Sequence, residues 1–206
     1  MTIDTSLVFQ NATLRSISRE ELADLPIRRY EGDVRLALTG DEVERAMQDI
    51  RNETVVGFDT ETRPAFSKGE SHLPCLAQVA TERAVYLLPL RRADAHGLLK
   101  SLLEDAAVVK AGVAVAHDMR ELKHVFAFEH RNVVELGATA RRCGYGQTGL
   151  RNLAAIFLNI RIPKGSRTSN WAAERLTQQQ ITYAATDAWV CRELFLRFET
   201  LGFLDR

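Results

Sequence analysis

Between residues 54 and 88 three short apolar runs follow one another, at 54–58 (TVVGF), 76–80 (LAQVA) and 84–88 (AVYLL), each bounded by polar or turn-forming residues and the first stopped by Pro64. Short runs rich in valine, leucine and aromatics read as strands. Three in succession predict an antiparallel meander. Upstream, a strand-like run at 34–38 leads into Thr39-Gly-Asp-Glu42, a capping box, ahead of Val43, Ala46, Met47 and Ile50 on one helical face. Downstream, apolar runs at 108–115 and 133–136 alternate with helical patterns at 95–104 and 118–126, and Leu150, Leu153, Ala154 and Phe157 then share one face. A loop at 163–170 precedes a long helix opened by a capping box at Thr177 and Gln180. A meander followed by strand and helix alternation predicts an α/β fold, a mixed β-sheet flanked by helices.

At about 150 residues per domain, a chain of 206 residues amounts to one domain with additions. The polar segment 1–29, with a capping-box signal at Ser18 and Glu21, reads as an N-terminal extension lying on a single domain that spans 30–206. Hydrophobic residues at 46% and charged residues at 26% exclude disordered, collagen-like and coiled-coil classes. Lys+Arg and Asp+Glu are both 27, so a nucleic-acid site has to be a local basic patch on a neutral background. Cys75, Cys143 and Cys191 are odd in number, far apart and outside any CxxC cluster, which argues against a disulfide framework or structural zinc and for reduced thiols in a cytoplasmic setting. No leader-like start and no run of 18 apolar residues is present, so neither export nor membrane insertion is expected.

Two carboxylates end the run VVGFDTET. Side chains alternate along a strand, so Asp59 and Glu61, two positions apart, project to one face. Their repulsion is unfavourable on a partly buried strand unless a cation sits between them, and a divalent ion is the obvious candidate. In isolation such a pair more often marks a solvated edge. The helix after Thr177 carries an apolar half built from Ile181, Ala184, Ala188, Val190, Cys191, Leu194, Phe195 and Phe198, and Asp187 falls inside it. Tyr183 lies one turn earlier on the same face. A core-directed aspartate is costly unless it is paired, hydrogen-bonded or metal-bound, and the plainer alternative here is a hydrogen bond from Tyr183. Between these segments KAGVAVAHDMREL reads as a strand running straight into a helix at Asp118, which taken singly is a helix N-terminal residue. Together, four carboxylates from separate elements suit two Mg²⁺ or Mn²⁺ ions clamping a phosphodiester under in-line attack by water.

The segments VVGFDTET, KAGVAVAHDMREL and YAATD resemble the three exonuclease motifs of the DEDD superfamily in its tyrosine-bearing branch, the group of ribonuclease D and the Werner-type exonuclease domain. The similarity runs from around Tyr30 to the C-terminus and is most specific over PKGSRTSNWAAERLTQQQITYAATDA. It implies a ribonuclease-H-like fold and a metal-dependent 3′-to-5′ exonuclease acting on single-stranded or frayed ends of RNA or DNA and releasing nucleoside 5′-monophosphates. By this resemblance Asp59 would bridge both ions, Glu61 and Asp187 would complete the shell of the catalytic ion, and Asp118 would hold the second through water. Tyr183 would orient and help activate the attacking water. The histidine-bearing sister branch is excluded, because the last histidine of the chain is His130. Where relatives often place a bulky apolar residue against the terminal base, this chain has Thr62-Arg63-Pro64, and Phe66 is the candidate substitute. The chain stops at Arg206, without the helical binding domains that usually follow in ribonuclease D, so weak, distributive action is expected.

Lys164 and Arg167, set among Gly, Ser and Thr donors in the 163–170 loop, are candidate phosphate contacts, although a solvated loop has the same composition. His117, beside Asp118, is a candidate for the scissile phosphate, while a lone histidine is more often structural. Arg141 and Arg142 read as helix surface charges, His72 and Lys68 have no fixed direction, and Trp171 and Trp189 read as packing. Two rival functions share this pattern. One is an exonuclease restricted to short oligonucleotides; the other is a catalytically silent nucleic-acid-binding domain, against which the retention of Asp59, Glu61, Asp118, Tyr183 and Asp187 weighs.

Overall fold

The structure, a computed structural model, describes residues 15–67, 69–165 and 168–204. Six strands form one sheet: β1 (Asp33–Leu36), β2 (Val55–Thr62), β3 (Pro74–Ala80), β4 (Ala84–Pro89), β5 (Val109–Gly112) and β6 (Val133–Glu135), in the order β1-β4-β3-β2-β5-β6. The expected meander is there, with β2–β3 and β3–β4 antiparallel. The pairs β1–β4, β2–β5 and β5–β6 are parallel, so β3 alone runs against the others. The tight β3–β4 connection is organised by the Thr81 hydroxyl, which accepts from the backbone N–H of Ala84 at 3.1 Å.

Helices cover both faces. On one, Val56 and Phe58 of β2 pack with Ala46 and Ile50 of α2 (Gly40–Ile50), Leu99 and Leu103 of α3 (Ala93–Glu104) and Met119 and Leu122 of α4 (Val115–Leu122). Each buried Leu, Ile or Phe side chain contributes about 1.5–3 kcal/mol to holding this layer together. The opposite face is covered by α5 (Leu136–Arg142), α6 (Leu150–Leu158) and the long α7 (Gln178–Thr200), whose Ala184, Ala185 and Ala188 lie against Leu76, Ala80, Val85 and Leu87 of the sheet. Small residues on α7 let it come close. At Gly57, in the middle of β2, a Cβ would overlap the Ala188 carbonyl and crowd the Arg192 N–H, so the strand and helix backbones touch where only glycine leaves room.

The three capping boxes read from the sequence all form, at Ser18 ahead of α1 (Arg19–Asp24), at Thr39 ahead of α2 and at Thr177 ahead of α7. The turn after β5 differs from expectation. The strand ends at Gly112 and α4 opens at Val115, so Asp118 sits inside the first turn of the helix instead of at its start. Ala114, with φ of 61°, reverses the chain, and Gly112 permits the sharp entry because a Cβ there would crowd the Phe58 carbonyl and Val115. Of the N-terminal segment, Ile27 bridges to Arg161, with the Arg28 N–H donating to the Arg161 carbonyl at 3.0 Å and the Arg161 N–H to the Pro26 carbonyl at 2.9 Å, so these residues run beside the strand-like stretch after α6. Among the described residues no helix is long and apolar enough to cross a membrane.

Candidate active site

Alternation along β2 sends Val55, Gly57, Asp59 and Glu61 to the face covered by α7. The close approach at Gly57 then brings Asp187, one residue before the Ala188 contact, over the C-terminal end of the strand. One carboxylate oxygen each from Asp59, Glu61 and Asp187 lies within 4.8 Å of the others. Glu61 and Asp187 are buried, and Asp59 is half-buried. The intervening Thr60 points the other way, and its hydroxyl donates to the Asp118 carboxylate on α4. Asp118 thus flanks the three converging carboxylates, tied to the strand by the residue between two of them.

Burial in a poorly solvated place raises every one of these acids that shows a resolved shift. Asp59 is held well above the usual carboxylate range, first by burial and then by the charges of Asp118, Asp187 and Glu61. Burial pushes Asp118 up to about 6, opposed by the hydrogen bond from Thr60. It pushes Asp187 up to about 7, opposed by the hydroxyl of Tyr183. The phenol of Tyr183 is raised by burial and by the negative charges of Asp187 and Glu61, so it stays protonated at neutral pH and serves as a donor. Cys191, a turn along α7, is fully buried and its thiol is driven up by the same desolvation, which keeps it neutral and unsuited to metal binding. The donor set is therefore all oxygen and densely anionic. That chemistry suits a hard divalent cation such as Mg²⁺ or Mn²⁺ and disfavours softer ions that select sulfur or imidazole.

Tyr183 is clamped by the loop that precedes α7. Gly165 lies against its ring, where a Cβ would overlap the ring carbons. Trp171, 2% exposed, packs against it with centroids 6.0 Å apart. The loop is fastened by the Gln180 amide, which donates to Ser169 Oγ at 3.0 Å and the Asn170 carbonyl at 3.2 Å. From the far side the Arg91 guanidinium donates to the carbonyls of Ala173 (3.2 Å) and Glu174 (2.9 Å).

The other candidates are more dispersed. Lys164 is exposed and lines a cavity of about 330 Å³ together with Arg29, Gly165, Thr182, Tyr183 and Asp187. Arg167 and Lys68 lie outside the described residues. His117 is exposed on α4 with its ring 2.6 Å from the Arg120 guanidinium, and Phe66 stands 83% exposed in the loop after β2. His72 pairs with Glu70 at 2.8 Å, Arg141 and Arg142 are exposed at the end of α5, and Trp189 packs on Tyr30. Sequence reasoning passed over Gly57, Thr60 and Gly165. For the first two a signal exists: a glycine inside an apolar strand marks close backbone approach, and the residue between two same-face carboxylates must face the other side.

A family model described as 3′-5′ exonuclease matches residues 34–202. The chain is 30% identical over 199 residues to a 3′-5′ exonuclease of Arabidopsis thaliana, covering 87% of this chain and 68% of that protein. Against ribonuclease D of Gluconacetobacter diazotrophicus it is 30% identical over 181 residues, covering 82% of this chain but only 44% of the relative. Among solved structures, the Aedes aegypti Nibbler exonuclease domain superposes with a TM-score of 0.74 at 21% identity, covering 84% of this chain and 91% of that one. Escherichia coli RNase D gives 0.71 at 21%, covering 84% and 47%. Brucella melitensis NrnC bound to pGG gives 0.64 at 24%, covering 87% and 84%. These structural likenesses establish the fold. With β2, α4 and α7 bringing their acidic residues to one place and the family model spanning nearly the whole described chain, the protein belongs to the 3′-5′ exonuclease family.

Proposed function

We propose that the chain removes nucleotides one at a time from the 3′ end of single-stranded RNA or DNA, with two divalent ions, Mg²⁺ or Mn²⁺, held by Asp59, Glu61, Asp187 and Asp118. The observation that carries this reading is the meeting of three carboxylates within 4.8 Å in a 3′-5′ exonuclease family member, with Asp118 fixed alongside through Thr60. Asp59, Glu61 and Asp187 would hold the ions directly and Asp118 would help to hold them from α4. Bound there, the ions supply the positive charge that makes water acidic enough to attack at neutral pH and that steadies the departing 3′ oxygen.

Tyr183 works as a hydrogen-bond donor, its protonated hydroxyl holding the attacking water in line with the phosphorus. Lys164 and Arg167 contact backbone phosphates, His117 faces the scissile phosphate beside Asp118, and Phe66 stacks on the terminal base. The catalytic domain corresponds to residues 30–206 and the segment 1–29 is an extension of it. Its thiols at Cys75, Cys143 and Cys191 are all free, in keeping with a cytoplasmic setting.

The test is a series of RNA and DNA substrates of one sequence, from dinucleotides to long strands, incubated with Mg²⁺ or Mn²⁺ and analysed by chromatography. Nucleoside 5′-monophosphates accumulating from every length are expected. Release confined to dinucleotides would favour the short-oligonucleotide reading, and one structural neighbour, NrnC, has been captured with pGG. Binding without any product, in folded protein supplied with metal, would contradict the assignment.

A further inference from the structure

Directly across the sheet from Asp59 stands Gln78 of β3, its partner in the antiparallel register. Residues opposite one another share a face, with Cβ atoms about 4.5–5.5 Å apart, so an amide side chain on one is within reach of a carboxylate on the other. Gln78 is 0% exposed. Its same-face neighbours along β3, Leu76 and Ala80, pack with Ala184, Ala185 and Ala188 of α7, which seals the amide between the sheet and the helix that carries Asp187. Among the described residues neither its Nε2 nor its Oε1 has a hydrogen-bond partner. Buried amides without partners cost stability, and an apolar side chain of similar volume would avoid that cost. Packing therefore does not account for a glutamine here.

We propose that Gln78 is a positioning residue for Asp59, its Nε2–H donating to the Asp59 carboxylate when that carboxylate holds a divalent ion. This rests on the metal site described above. Asp59 already accepts from the Thr60 N–H through Oδ1 at 3.0 Å, and a second donor from the neighbouring strand fixes the plane of the carboxylate. The donor has to be neutral. A lysine or arginine at position 78 would place a permanent positive charge among Asp59, Glu61 and Asp187 and compete with the ion for them, whereas an amide orients without competing.

The test compares wild type with Gln78→Met, which keeps the length of the side chain and removes the amide. Three readouts are taken: the melting temperature in chelator, Mn²⁺ affinity by titration calorimetry, and kcat and KM separately on a short single strand. The expected result is an equal or higher melting temperature without metal, Mn²⁺ affinity weakened about 10- to 100-fold, and kcat lowered with KM nearly unchanged. Gln78→Asn, with its amide one carbon short, is expected between the two. Unchanged Mn²⁺ affinity and kcat in Gln78→Met would overturn the proposal, and so would loss of fold, since the amide would then be serving stability. If wild type itself failed to bind Mn²⁺ in the calorimeter, the metal-site reading would fall, and the role of Gln78 with it.

Discussion

Asp59 concentrates the chemistry of this chain because it is the point at which three like charges meet it from different elements. Burial and the charges of Asp118, Asp187 and Glu61 all act against its ionisation. Asp59→Asn removes both the proposed metal ligand and the repulsion, so turnover is expected to fall by about 1,000-fold or more, equivalent to roughly 4 kcal/mol of barrier, while the metal-free protein melts at a higher temperature. Steady-state kinetics and thermal melts on one sample check both halves. Tyr183→Phe loses a donor and no ligand, so kcat should drop about 10- to 100-fold with Mn²⁺ affinity nearly intact. A further expectation concerns pH. Folded-state values of about 6 for Asp118 and about 7 for Asp187 lie above the unfolded value of about 3.9. Their contribution to stability is therefore present in full below about pH 4 and is lost as the pH rises through 6 and 7. In chelator, the melting temperature of wild type should decline over that window relative to Asp187→Asn, and equal slopes for the two proteins would refute the shift.

At the scale of elements, the site exists because β2 and α7 touch. Gly57→Ala puts a methyl group into the Ala188 carbonyl and the Arg192 N–H, forcing strand and helix apart. A loss of about 1–3 kcal/mol is expected, together with weaker Mn²⁺ binding as Asp187 moves away from Asp59, both readable from chemical denaturation and calorimetry. Gly165→Ala acts differently. Its methyl group meets the Tyr183 ring from an exposed loop, so kcat is expected to fall with little change in melting temperature. What was legible in the sequence divides along the same line. The capping boxes at Thr39 and Thr177 and the shared face of Asp59 and Glu61 depend on residues a few positions apart, and local spacing reveals them. The start of α4 is not legible locally, because neither the left-handed Ala114 nor the close approach of Gly112 to the Phe58 carbonyl on a neighbouring strand leaves a mark in residue spacing. The clamp of Gly165 on Tyr183 and the pairing of Gln78 with Asp59 are hidden for the same reason: each joins residues from different elements.

For the whole molecule, the sequence pattern foretold a mixed sheet between helices, yet strand order could not be read from it. That order matters. With β5 beside β2 and parallel to it, the two strands end on the same edge of the sheet, and α4 leaves β5 where β2 runs on past Gly57 to present Asp59 and Glu61. Ligands of open α/β sheets gather at the carboxyl ends of such strands. The family match over residues 34–202 spans these same elements, from β1 to the end of α7. The central claim is that the converging carboxylates hold metal for cleavage from the 3′ end. Its most direct test is a time course of 5′-labelled single-stranded RNA and DNA with wild type and Asp59→Asn, each in Mn²⁺ and in chelator. A ladder that shortens from the 3′ end only for wild type in Mn²⁺ is the predicted result. Cleavage that survives either the chelator or the loss of Asp59, in folded protein, would contradict the account.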